Sequence, residues 1–278
     1  MMISLLKLMR LYYALPLTAG FVVILYYLTA GNLSLITGKL ALSCISLASV
    51  ISAGYCLNDI CDIEIDRINC PRRVLAAGKL GRKPAVRFSV FLFLIGLTAG
   101  AFCGLPFFFA ISTIAFMLVL YDLRSKRIGI FKDILVASLM TSLYPLALTL
   151  TSPVSSPRLN VLLIHPFWIF LSSLGYEMLK DIRDMHGDSR IRGLDCNYCD
   201  SRAFSVFART SILTAGLLTL LPFILGYCDL IYLAASAAAI ILAVLSTFRK
   251  PEIAIRFIYA EIFIITAGSM ADMMVYGP

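Results

Sequence analysis

Asp59, Asp62, Glu64 and Asp66 crowd the segment NDICDIEIDRINCPRR, and Asp181, Asp184 and Asp188 crowd a second, KDIRDMHGD. With Glu177, Asp195 and Asp200 they make up ten of the sixteen acidic residues of the chain. On a helix, Asn58, Asp62 and Asp66 stand four and four apart on one face, and Asp181, Asp184 and Asp188 stand three and four apart on another. Stacked carboxylates repel one another, so a cation is expected between them. Magnesium fits, because it prefers hard oxygens, keeps several waters, and typically takes one or two carboxylates together with phosphate oxygens. Arg67, Arg72 and Arg73 follow the acids of the first segment, Lys126 and Arg127 lie between the two, and Lys180 and Arg183 stand among the acids of the second. A metal-held diphosphate with guanidinium and ammonium groups on its outer oxygens accounts for this mixture of signs. A solvated face of weak exposed ion pairs is the plainer alternative for one such cluster. Two clusters in helical register, close to a negative lipid surface that disfavours acids, argue against it.

The elements that must position these groups are apolar. The chain has 278 residues, 60% hydrophobic and only 14% charged, far from the composition of a soluble domain. Runs long enough to cross roughly 30 Å of hydrocarbon are read at 11–30, 40–57, 86–103, 106–121, 134–150, 161–179, 204–225, 230–247 and 253–274. The sequence therefore predicts an all-α, multi-pass integral membrane protein of about nine helices, residues 1–278 forming a single domain. The first run is too long for a removable signal peptide and is read as a retained helix.

Basic residues collect in cytoplasmic loops. Nine helices put 22 of the 24 Lys and Arg residues on one side, leaving Lys39 and Arg158 for the other. That places the N-terminus and both acidic segments in the cytoplasm and the C-terminus outside. The net charge of +8 is then a membrane-orientation signal and not a nucleic-acid footprint. Among the eight cysteines, Cys44, Cys56 and Cys103 lie in or beside apolar runs, which argues against a disulfide framework. Cys196 and Cys199, in CNYC, have zinc-ligand spacing but no second pair to complete four ligands. His165 is read as an interfacial residue, and His186 sits inside the second acidic segment as a solvated loop histidine or a contact to diphosphate or magnesium. Glu261 and Asp272 fall within the last apolar run, where ionisable groups are costly; either could face the cavity and orient an acceptor, and Asp272 is close enough to the end of the run to reach the outer interface instead.

These residues carry a family resemblance. NDICDIEID is similar to the first aspartate-rich motif of the UbiA superfamily of intramembrane prenyltransferases, N-D-x-x-D-x-x-x-D, on Asn58, Asp59, Asp62 and Asp66. The following RINCPRRVLAAGKL resembles its continuation on Arg67, Asn69, Pro71, Arg73 and Gly78. KDIRDMHGD is similar to the second motif, with Asp184 and Asp188 as the core pair and Lys180 and Asp181 beside them, and YDLRSKRIG resembles a segment that uses Tyr121 and Lys126. Cys61, Cys70 and the longer SRIRGLDCNYC after Asp188 depart from the pattern.

The resemblance implies a helical bundle around a central cavity with a cytoplasmic cap. It further implies two magnesium ions on Asn58, Asp59, Asp62, Asp66, Asp181, Asp184 and Asp188. Asp62, Asp66, Asp184, Asp188, Lys126 and Tyr121 would serve catalysis, and Asn58, Arg10, Arg67, Arg72, Arg73 and Lys180 would bind diphosphate or acceptor. The donor would be a polyprenyl diphosphate, ionised to an allylic cation that a dry, aromatic cavity protects. The form of both motifs looks most like the branch that prenylates geranylgeranylglycerol phosphate in ether-lipid synthesis. An aromatic ring as acceptor, or cyclisation without an acceptor, are the other outcomes the family allows. A CDP-alcohol phosphotransferase would need D-G-x-x-A-R, which is absent, and a transporter would carry charges at the bilayer midplane rather than at one face.

Overall fold

Helix formation follows the apolar runs, because a segment in hydrocarbon must satisfy its own backbone hydrogen bonds. The computed structural model describes residues 2–124, 129–192 and 202–278, for 186–192 the backbone alone, and these contain no strand. In chain order the helices are α1 (Met2–Leu8), α2 (Leu11–Leu28), α3 (Thr37–Cys61), α4 (Ile63–Asn69), α5 (Arg82–Cys103), α6 (Leu105–Leu123) and α7 (Ile130–Thr141). There follow α8 (Leu143–Leu148), α9 (Val161–Arg192), α10 (Arg202–Leu218), α11 (Leu221–Ile224), α12 (Leu230–Thr247) and α13 (Pro251–Tyr276). Among the described residues nine helical stretches are long and apolar enough to span a membrane, in agreement with the expected number. The chain is an integral, multi-pass membrane protein.

Packing divides the described helices into two compact units. The first comprises α1, the start of α2 as far as Val22, and α3 to α6; the second comprises the rest of α2, α8, α10 to α13 and most of α7 and α9. In the first, α5 lies close against α3. A Cβ on Gly96 would stand 2.7 Å from Val50 Cγ2 and 2.9 Å from the Ser46 carbonyl oxygen, so only a glycine permits this approach. Ser46 donates to the Gly96 carbonyl at 2.7 Å and Ser89 to the Ala53 carbonyl at 2.9 Å. Small residues and interhelical hydroxyl bonds are what hold helices together where lipid is as apolar as the side chains. Helix α1 was not legible as a separate element; it packs on α3, where Cys56 Sγ donates to the Leu8 carbonyl at 3.5 Å.

The second unit uses the same devices. Gly175 of α9 faces Ile212 and the Ala208 carbonyl oxygen of α10, the latter 2.8 Å from where a Cβ would be. Tyr27 donates to the Ser269 carbonyl at 3.2 Å, and Ser236 to that of Thr219 at 2.8 Å. Arg209 donates to the carbonyls of Ser246, Thr247 and Arg249 at 2.9, 2.7 and 3.1 Å. It thereby bonds carbonyls at and just beyond the C-terminus of α12 and places a cation at the negative end of the helix dipole.

Asp272 is fully buried within the protein, ion-paired with Arg158, and accepts the backbone N–H groups of Asp229 and Tyr232 at 3.0 Å each, at the start of α12. Arg158 also pairs with Asp229. His165 is buried within the protein too, its ring 3.0 Å from the Tyr232 hydroxyl. Glu261 is buried as well, accepting from Trp168 Nε1 at 3.0 Å and Ser172 at 3.3 Å.

Candidate functional site

The first acidic segment joins α3 to α4. An unbroken helix was expected through it; instead the backbone bends at Asp62, which ends α3 and precedes α4 with φ −102° and ψ 13°. Register survives the bend, because Asp62 N–H donates to Asn58 O at 3.0 Å, Asp66 N–H to Asp62 O at 2.8 Å and Cys70 N–H to Asp66 O at 2.8 Å. The spacing of four that stacks Asn58, Asp62 and Asp66 is thus carried by the backbone bonds themselves.

Neighbouring elements then hold each side chain. Asn58 donates its amide to Asp122 Oδ1 at the end of α6, at 3.1 Å. Asp122 is buried, and reading the sequence missed it although it adjoins Tyr121 in YDLRSKRIG. Asp59 is buried and ion-paired with Arg10, which sits between α1 and α2 with a left-handed φ of 47° and lies over the Tyr55 ring at 5.2 Å. Asp66 is gripped by Arg73 Nη1 at 2.6 and 2.7 Å, and the same nitrogen stands 3.7 Å from Asp59 Oδ1. Burial pushes the Asp66 carboxyl up to about 6, while the bonds and attraction of Arg73 oppose that shift. Burial works against charge on Arg73 too, but the bonds and attraction to Asp66 raise its pKa above that of a free guanidinium.

Of the expected site residues, the first unit therefore brings Arg10, Asp59, Arg73 and Asp66 into contact. Arg67 is turned instead to Glu64 at 2.8 Å, with both side chains more than half exposed, and Arg72 is exposed. Tyr121 is half-buried near the end of α6. In the second unit, α9 continues past its apolar part as expected and carries Asp181, which is buried, and Asp184. Arg183 grips Asp184 through two bonds of 2.7 Å, and Lys180 donates to Glu177 at 2.7 Å. Lys126, Arg127, Cys196, Cys199 and the side chains of His186 and Asp188 lie outside the described residues.

Among the described residues no three acidic, histidine or cysteine side chains come together as a group that could hold a metal ion. The donor set nonetheless fits magnesium, which asks for one or two carboxylates and leaves its other positions to water and phosphate. The half-buried Asp62 and Asp184 are oxygen donors of that kind, and Arg73 on Asp66 and Arg183 on Asp184 are groups that match phosphate oxygens.

Comparison with known proteins accords with this chemistry. A family model described as the UbiA prenyltransferase family matches residues 13–253. Digeranylgeranylglyceryl phosphate synthase of Methanococcus aeolicus is 31% identical over 242 residues, 85% of this chain and 84% of that protein. The synthase of the same name from Sulfolobus acidocaldarius is 38% identical over 146 residues, 52% of this chain and about half, 51%, of the relative. A solved structure concerned with digeranylgeranylglyceryl phosphate synthase in membranes aligns with a TM-score of 0.72 at 22% identity, covering 99% of each chain. A UbiA homologue from Archaeoglobus fulgidus bound to GPP and Mg2+ aligns with a TM-score of 0.68 at 14% identity, covering 98% of this chain and 99% of that one. These two share its fold. The chain belongs to the UbiA prenyltransferase family of intramembrane prenyltransferases.

Proposed function

We propose that this protein transfers a geranylgeranyl group from geranylgeranyl diphosphate to geranylgeranylglyceryl phosphate, making the digeranylgeranylglyceryl phosphate of ether-lipid synthesis. The observation that carries the acceptor is the name shared by the curated relatives, one of them matched over 84% of its length. Residues 1–278 act as one catalytic domain, with the N-terminus and the acidic segments on the cytoplasmic side and the C-terminus outside.

Two magnesium ions are held by Asn58, Asp62 and Asp66 on the first acidic segment and by Asp181, Asp184 and Asp188 on the second. When bound, they neutralise the diphosphate as its bond to the allylic carbon breaks. Arg73 and Arg10 carry fixed positive charge beside Asp66 and Asp59 and bind the diphosphate oxygens; Lys180, Arg72, Arg67 and Lys126 supply further cations for the diphosphate or the acceptor phosphate. Tyr121, near the end of α6, would serve the departure of the diphosphate. The hydrocarbon surroundings keep water from the allylic cation.

The test is a product assay on purified protein with magnesium and geranylgeranyl diphosphate, run with geranylgeranylglyceryl phosphate, with a hydroxybenzoate, and with no acceptor. A prenylated ether phosphate bears out the proposal. A prenylated ring moves the protein to aromatic acceptors, hydrocarbon without acceptor makes it a cyclase, and no diphosphate release in any tube overturns prenyl transfer.

A further inference from the structure

We propose that Asp59 is a positioning residue and not a magnesium ligand: its carboxylate anchors Arg10 beside Arg73, fixing two guanidinium groups next to Asp66 for an anionic substrate. This rests on the diphosphate chemistry proposed above.

Consecutive residues of a helix project about 100° apart. Asn58 accordingly turns to α6 and meets Asp122, whereas Asp59 turns to the junction of α1 and α2 and meets Arg10. Asp59 Oδ1 takes the bond from Arg10 and stands 3.7 Å from Arg73 Nη1, with the Asp59 side chain 5% and the Arg10 side chain 10% exposed. A doubly charged cation on that oxygen would be forced against two guanidinium groups, whose repulsion is poorly screened in such a buried place. The Oδ1 of Asp59, shared by two guanidinium groups, is therefore ill-suited to hold metal.

It is well suited to hold arginine. Arg10 is restrained three times over: by the left-handed backbone between two helices, by the Tyr55 ring at 5.2 Å, and by Asp59. A left-handed non-glycine residue is costly and persists only where its surroundings over-determine it, often at functional sites. Fixing the long side chain in advance removes the ordering cost that a mobile arginine would pay on binding substrate. Arg73 gains as well. When a cation engages Asp66, Arg73 still has the Asp59 carboxylate 3.7 Å away.

The experiment uses the full chain in detergent. Manganese binding is followed by electron paramagnetic resonance without donor, binding of inorganic pyrophosphate is followed with manganese present, and KM and kcat are measured for geranylgeranyl diphosphate. In Asp59→Asn, manganese affinity should match the wild type, while pyrophosphate affinity falls and the donor KM rises by about tenfold, the worth of one charge-assisted hydrogen bond. Asp62→Asn should show the reverse order, losing manganese first. Because Asp59→Asn strands Arg10 in a buried site, Arg10→Gln/Asp59→Asn is made alongside. It should show the same pyrophosphate affinity and donor KM as Arg10→Gln alone, since the two residues act as one unit. Manganese binding weakened tenfold in Asp59→Asn, or weaker in the double variant than in Arg10→Gln, would make Asp59 a ligand and overturn the proposal. So would unchanged pyrophosphate affinity in Asp59→Asn. A wild type that binds manganese and pyrophosphate but transfers no prenyl group would defeat the proposed reaction while leaving the role of Asp59 to be decided by the binding data.

Discussion

Asn58 donates its side-chain amide to Asp122 at 3.1 Å, linking the first acidic segment to the end of α6. With the nitrogen committed to that carboxylate, the Asn58 side-chain oxygen is left as the atom available to a cation. Groups that orient a metal ligand in this way typically contribute 10–100-fold to affinity. Asp122→Ala should therefore raise the magnesium concentration for half-maximal activity by about tenfold or more. Equal magnesium dependence in the variant and the wild type would remove Asp122 from the site.

The proposed metal ligands themselves give the larger effect. Asp62→Asn and Asp184→Asn keep the side-chain shape and remove the charge, so each should lower kcat about a hundredfold or more. Extraction and gel-filtration behaviour should stay unchanged. Near-normal turnover in either variant would sink that assignment.

Away from the chemistry, Arg158 is nearly buried between Asp272 and Asp229. Removing one partner of a buried pair leaves an uncompensated charge, at a typical cost of about 3–5 kcal/mol. Arg158→Met should therefore sharply shorten the half-life of the purified protein on heating. Arg158→Met/Asp272→Leu, which removes both charges, should recover part of that loss, less the N–H bonds that Asp272 accepts. A single variant as heat-stable as the wild type would show that the pair contributes nothing to the fold.

The apolar runs made the nine spans legible, because hydrocarbon thickness fixes both their length and their composition. The spacing of four at Asn58, Asp62 and Asp66 likewise reappears in the backbone bonds that join them. Helix α1 escaped notice: its seven residues are too few for a period, and it is recognisable only from its packing on α3. The bend at Asp62 was equally invisible, since the backbone bonds of the helix continue through it. Arg158 counted as one of two exceptions to a charge rule, and its partner Asp272 lies 114 positions away, a pairing that one sequence cannot reveal. Arg10 and Arg73 could be picked out as cations near an acidic motif, but only the fold shows that they are already bound to its carboxylates.

The closeness of α3 and α5 gives a last prediction. A Cβ at Gly96 would come within 2.7 Å of Val50 and 2.9 Å of a backbone oxygen, and the oxygen cannot rotate away as a side chain can. Gly96→Ala should therefore push the helices apart, lengthen the Ser46 bond to the Gly96 carbonyl, and cost about 1–3 kcal/mol as overpacking does. Gly20→Ala is the control. Gly20 lies within α2 and a Cβ there meets nothing within 4 Å, so the change should be neutral or stabilising by up to about 1 kcal/mol, through the reduced freedom of the unfolded chain. Thermal inactivation of the two variants beside the wild type measures the difference; equal midpoints for all three would mean that α5 moves away from α3 at no cost.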